Sequence, residues 1–343
     1  LEDMIFNKGL LIESTNGADI SVYYEIANPR NPERFNLKGQ NALGTEFLIP
    51  SQNQFMNYSG MRRSREKVDI VATEDGTVVT INYDRDLHNF VGKPSSGNSF
   101  SVTLDRGETF VLRSNTQSRE QQLGGIFIES TKDIAVTISD DSIIESTSYI
   151  HYDLVGDQLI PTSIAGTRYI AMHPSFGTRH QDVYERSGTG SVSNQVFIWP
   201  VGDPTGIRIN GVAVKQPGGS ETFSRGDHYV TNISGNGILI ESDQPVIVYQ
   251  ISSYGYELGG GVLPALECTG SKSVTFARIY DENFFIQILT KKKNILDENG
   301  NNNFEVFYQD GTSATNAIFG VTTGTSIGWQ PIAGSGSGDE QWY

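Results

Sequence analysis

The chain has 343 residues, enough for one large β architecture or for two to three domains. Forty acidic against 25 basic residues give a formal net charge of −15, a surface that repels phosphate backbones and argues against a nucleic-acid partner. The single cysteine, Cys268, excludes an intrachain disulfide, and no apolar run reaches the roughly eighteen residues needed to span a bilayer.

In chain order, residues 1–9 do not read as a signal peptide, so an exported protein is expected to have lost its leader. Residues 9–24, GLLIESTNGADISVYY, give an apolar pair, Glu-Ser, a polar turn and an alternating strand, the pattern of a half-buried β-hairpin. The loop at 27–41 carries two prolines and mixed charge, which marks it as exposed, and an apolar strand follows at 43–50. Arg62, Arg63, Arg65 and Lys67 then form a basic cluster ahead of a strong strand. On an acidic protein such a cluster is either a solvated loop or a place to meet an anion, and Arg62 and Arg63 are candidate ligand-binding residues.

Residues 68–114 form the clearest four-stranded unit, with Gly76 and Gly107 in Asp/Gly turns that require positive φ. Residues 123–138, LGGIFIESTKDIAVTI, repeat the first hairpin pattern, with Ser130 to Asp133 as the expected turn. Beyond it lie His151, His173 and His180, a conceivable metal set, although no pair has the short spacing of zinc motifs. Residues 195–234 restart the strand pattern, and Arg225-Gly226-Asp227 sits at a hairpin tip where the earlier unit carries Asp105-Arg106-Gly107. That parallel gives the RGD tripeptide a turn role.

Residues 237–251, GILIESDQPVIVYQI, give the hairpin pattern a third time, followed by a Gly-rich loop with Tyr254 and Tyr256 as candidate contact residues. In DENGNNN, Asp297, Asn299 and Asn301 have the alternate spacing of a calcium loop. The glycine stands at the fourth position and not the sixth, so a turn is the better reading and no metal is assigned. No nucleophile elbow, P-loop, HExxH or dinucleotide fingerprint occurs, no cofactor is implied, and the chain is not read as an enzyme.

The recurrence organises the whole chain. It divides one domain into three repeats, approximately 9–115, 123–232 and 236–343, each with the strand content of two four-stranded units. The expected fold is all-β, a six-bladed propeller in which ring closure removes strand edges, with three tandem β-sandwich modules as the alternative.

The pieces ALGTEFLIP, VATEDGTVVTI, FSVTLDRGETFVLRS, IFIESTKDIAVTI and LIPTSIAGTRYIA, in this order, resemble the N-terminal domain of the IgGFc-binding protein family. That family includes a mucus-associated secreted protein of animals and extracellular multidomain proteins of Bacteroidetes-type bacteria, and the single cysteine matches the bacterial members better. The resemblance implies a secreted or cell-surface adhesion module within a longer chain, recognising an extracellular glycoprotein or glycan such as mucin or immunoglobulin. A glycan hydrolase or lyase and a structural spacer are the competing readings. In such a bacterial protein Asp141-Ser142-Ile143 also resembles an O-glycosylation tripeptide.

Overall fold

Strict alternation makes the best strands. In β6 (Glu66–Ala72) and β7 (Thr77–Asn82) every second side chain is buried, so each presents one face to a core and one to a surface layer. The structure is a computed structural model that describes residues 4–26, 33–61, 63–144, 152–173, 194–254, 257–268, 270–274, 287–299, 303–307, 310–313, 315 and 329–343. Its regular elements there are antiparallel strands and short 3-10 turns, as the all-β reading requires.

The first unit is built from β1 (Ile5–Asn7), β4 (Leu43–Leu48), β5 (Met56–Asn57), β6, β7, β8 (Ser99–Leu104), β9 (Glu108–Arg113), β10 (Phe127–Ile144) and β11 (Asp153–Gln158). They form a nine-stranded sheet in the order β1-β9-β6-β10-β7-β8, with β4, β5 and β11 also paired to β10. A separate hairpin joins β2 (Val22–Ile26) to β3 (Glu33–Leu37). The second unit contains β12 (Gly166–Met172), β13 (Gln195–Pro200), β14 (Thr205–Ile209), β15 (Val212–Ala213), β16 (Thr222–Phe223), β17 (Tyr229–Asn232), β18 (Gly237–Tyr254) and β19 (Glu257–Val262). Its eight-stranded sheet is organised on β18 in the same way.

The central stretch differs from the hairpin expected of it. Residues 127–144 form one continuous strand of 18 residues, and Gly237–Tyr254 is its counterpart of 18 residues. Ser130 to Asp133 do not turn the chain; they are the solvent-facing middle of a bent strand. The first part of β10 pairs with β7 (Ile128 opposite Ile81), and the later part pairs with β6 (Ile134 opposite Ala72). Register with β4 slips between Glu129 and Ile134, which marks the bend. The polar side chains hold the neighbouring connection: Thr131 Oγ1 accepts from the Val78 amide (3.0 Å), and Lys132 Nζ donates to the Asp75 carbonyl (2.7 Å).

The long strand therefore runs past both β7 and β6, which follow one another on the side away from β4, and the predicted four-stranded unit is divided into pairs β7–β8 and β6–β9 in series along it. The two Asp/Gly turns meet at one end: the Gly76 amide donates to Asp105 Oδ1 and the Arg106 amide to Asp75 Oδ1, both at 2.9 Å. Gly76 and Gly107 have φ of 65° and 81°, as turns of this kind require.

Both units contribute to one core. Phe47, Ile70, Ile81, Phe110, Ile128 and Val136 from the first are packed with Phe197, Trp199, Ile247 and Tyr249 from the second. Trp199 is the clamp: its indole Nε1 donates to the Ser51 carbonyl (3.1 Å) and its ring stacks on His228 at 4.5 Å. Gly124 leaves the room the indole needs, since a Cβ there would lie 2.6 Å from Trp199 Cζ2.

Candidate functional site

An arginine cluster forms where the register of β6 and β9 brings two distant segments together. Arg65 immediately precedes β6, Arg113 ends β9, and Lys67 is the Cα partner of Arg113. Arg63, Arg65, Val91, Arg113, Ser114 and Asn115 line a cavity of about 350 Å³. Its floor is held by backbone bonds: Val91 to the Arg113 carbonyl (2.9 Å), Ser114 to Glu66 (3.0 Å) and Asn115 to Asn89 (2.9 Å).

Electrostatics set the character of this cavity. Three arginines line it, and Lys67 sits directly across from Arg113, a like-charge arrangement that is unfavourable in a sheet. Burial, and then the charge of Arg113, push the Arg65 guanidinium below its usual value. Arg65 Nη1 donates to the Ser64 carbonyl (2.6 Å). Among the described residues neither Arg63 nor Arg113 forms an ion pair with a carboxylate. A guanidinium presents several fixed donors, so this arrangement suits a carboxylate, sulfate or phosphate oxygen set.

Of the predicted binding residues, Arg63 lines this cavity, while Arg62 lies outside the described residues. Arg113 was not apparent from the sequence, because only strand pairing brings it to Arg65. Tyr254 closes β18 opposite Glu257, and Tyr256 lies outside the described residues. Asp297 accepts the Asn299 amide through Oδ1 (2.8 Å), a turn-capping contact, and Asn301 lies outside the described residues. His173 Nε2 lies 3.2 Å from Asn194 Nδ2, and His151 and His180 lie outside the described residues.

Two other motifs have structural roles. Arg225 of the RGD tripeptide stacks over the Phe127 ring at 4.4 Å, and Asp227 Oδ2 accepts from the Ser224 amide (2.8 Å) and from Gln216 (3.0 Å). The tripeptide thus caps a turn and touches the first unit. Ser142 is 3% exposed at a left-handed backbone position, so the tripeptide Asp141-Ser142-Ile143 does not offer its hydroxyl at the surface.

One carboxylate pair among the described residues lies in the interior. Glu66 accepts the Leu123 amide, and Asp140 accepts from Gln52 (2.8 Å) and Asn57 (2.6 Å). Burial raises both acids; the Asp140 charge raises Glu66 further, the Asp141 charge raises Asp140, and Asp140 is pushed up to about 6. At 1% and 5% exposure the two acids are out of reach of a polymeric substrate, unlike the open pair of a glycosidase.

A repeated antiparallel scaffold with a cationic concavity at a strand edge defines a class, an all-β ligand-binding module. The family model for IgGFc binding protein matches residues 35–339, and the chain belongs to that family. Neither the curated proteins nor the solved structures contain a match to it.

Proposed function

We propose that the protein is an extracellular recognition module that binds acidic groups on a glycoprotein, such as the sialylated or sulfated glycans of a mucin, through Arg63, Arg65 and Arg113. The observation that carries this reading is three arginines lining one cavity in a protein of net charge −15. Family membership supports binding over catalysis, and the buried position of Glu66 and Asp140 weighs against a hydrolase. A secreted or surface-attached place in a longer, bacterial multidomain chain accords with this reading.

A glycan and glycoprotein array that includes mucins and immunoglobulin, with and without sialidase or sulfatase treatment, tests the proposal. Binding is expected to fall when the acidic groups are removed. A charged hydrogen bond contributes about 1.5–3 kcal/mol, so Arg65→Ala and Arg113→Ala are each expected to weaken binding about tenfold to a hundredfold. Binding that survives both variants unchanged would place recognition elsewhere.

A further inference from the structure

The N-terminal segment repeats a strand but lacks the unit that surrounds that strand elsewhere. Leu10-Leu11-Ile12-Glu13-Ser14 matches Ile126-Phe127-Ile128-Glu129-Ser130 at the start of β10 and Ile238-Leu239-Ile240-Glu241-Ser242 at the start of β18. In the two complete units the apolar positions are 0%, 8% and 0% exposed, and 1%, 1% and 0% exposed. Leu10, Leu11 and Ile12 are 81%, 61% and 46% exposed, and Ile20 farther along is 53% exposed. Four apolar side chains of a central-strand sequence thus stand in solvent without the strands that bury their counterparts.

The far end of the chain shows the converse. Each long strand runs into a hairpin partner, then a 3-10 turn, then the first strand of the next unit. The order is β2–β3, Gly39–Ala42, β4; then β10–β11, Thr162–Ile164, β12; and β18–β19 is followed by Leu266–Cys268. A third unit is therefore due to begin after Cys268, and Val274 there is 74% exposed. Residues 269–343 contain no further copy of the Leu/Phe-Ile-Glu-Ser motif that opens the long strands. One central-strand sequence stands without a unit, and the sequence after Cys268 carries no central-strand motif.

The hairpin partners bring the two together. β3 lies against β11, where Lys38 Nζ pairs with Asp157 (2.5 Å) and Phe35 packs on Gly156. β11 in turn lies against β19, whose Val262 amide donates to Asp157 Oδ2 (2.8 Å) and whose Leu258 amide donates to Asp153 Oδ2 (2.5 Å). Three equivalent strands from three repeats are side by side, so the strand leading into β3 starts near the place where the chain leaves β19. Later residues also pack on the second unit, with Leu289, Ile332 and Trp342 against Ile170 and Leu239.

From this we infer that residues 9–26 supply the long central strand of a third unit that they complete together with residues 287–299 and 329–343 of the same chain, closing the three repeats on themselves. Hydrogen exchange on the full chain, with its mass measured in parallel, tests it. The amides of residues 10–12 are expected to exchange about a hundredfold or more slower than coil in a monomer. Ile12→Asp is expected to abolish that protection and to speed exchange in residues 287–299 and 329–343, while β6 and β7 keep theirs as the control for folding. Coil-rate exchange at 10–12 in the unmodified chain overturns the inference. So does Ile12→Asp without effect on the C-terminal residues, and so does protection found only in a dimer, which would assign the strand to a second copy.

Discussion

Trp199→Ala tests whether the two described units are held as one body. A buried tryptophan removes about 150–250 Å² from water, roughly 4–6 kcal/mol at about 25 cal/mol per Å². Measured truncations of large aromatics cost about 3–5 kcal/mol, because the surroundings relax only in part. Trp199 is 3% exposed, and its loss also leaves the Ser51 carbonyl without its indole donor and His228 without its stacking partner. The variant is expected to lose about 4 kcal/mol in urea denaturation followed by far-UV circular dichroism, and its single transition is expected to separate into two. Trp199→Phe, which keeps most of the apolar contact, is expected to lose about a third of that. A cost below about 1 kcal/mol for Trp199→Ala, with one unbroken transition, would refute the clamp.

Other outcomes follow from the same geometry. Gly124→Ala places a methyl 2.6 Å from the Trp199 ring and is expected to cost about 1–3 kcal/mol in the same assay. The buried acids give a pH dependence of definite sign: Asp140 is raised from 3.8 to about 6 and Glu33 from 4.5 to about 8, chiefly by burial, and Glu66 is raised as well. The folded state thus holds protons that the unfolded chain has released. Stability is greatest below about pH 4 on this account and falls as pH rises through 6 and towards 8. Thermal melts of Asp140→Asn and Glu66→Gln between pH 5 and 8 are expected to show a shallower decline than the unmodified chain. An equal slope in all three would contradict the assignment. Arg225→Ala is expected to lower stability by about 1 kcal/mol in urea denaturation through the lost stacking on Phe127.

Much of the fold can be read from local pattern. β6, β7, β8 and β9 lie where alternation and the Asp/Gly turns put them, and the repeated Leu/Phe-Ile-Glu-Ser motif does mark the element each unit is built on. The sequence is silent about the long strand because Ser130-Thr131-Lys132-Asp133 has the same composition in a turn as on the exposed side of a bend. Only the pairing of its two parts with β7 and β6, strands distant in sequence, distinguishes these (Ile128 opposite Ile81, Ile134 opposite Ala72). Pro245 within β18 adds to the ambiguity, since a proline in mid-pattern reads as a break. The sheets are also larger than a four-stranded blade, because one bent strand serves both sides of each unit. For the site, the cluster from Arg62 to Lys67 is visible in the sequence as a cationic run, whereas Arg113 joins it only through the β6–β9 register. The RGD and calcium-like motifs are the reverse case, local patterns whose side chains turn out to cap turns.

The most direct test of the central claim is a titration of sialylated and sulfated mucin glycans, alongside their desialylated and desulfated forms, into the full chain and into an Arg65→Ala/Arg113→Ala double variant at two salt concentrations. Saturable binding of the acidic glycans is predicted, weakened at high salt and lost in the double variant with the fold intact. Equal binding of acidic and neutral forms, or affinity retained in the double variant, would contradict recognition through the arginine cavity.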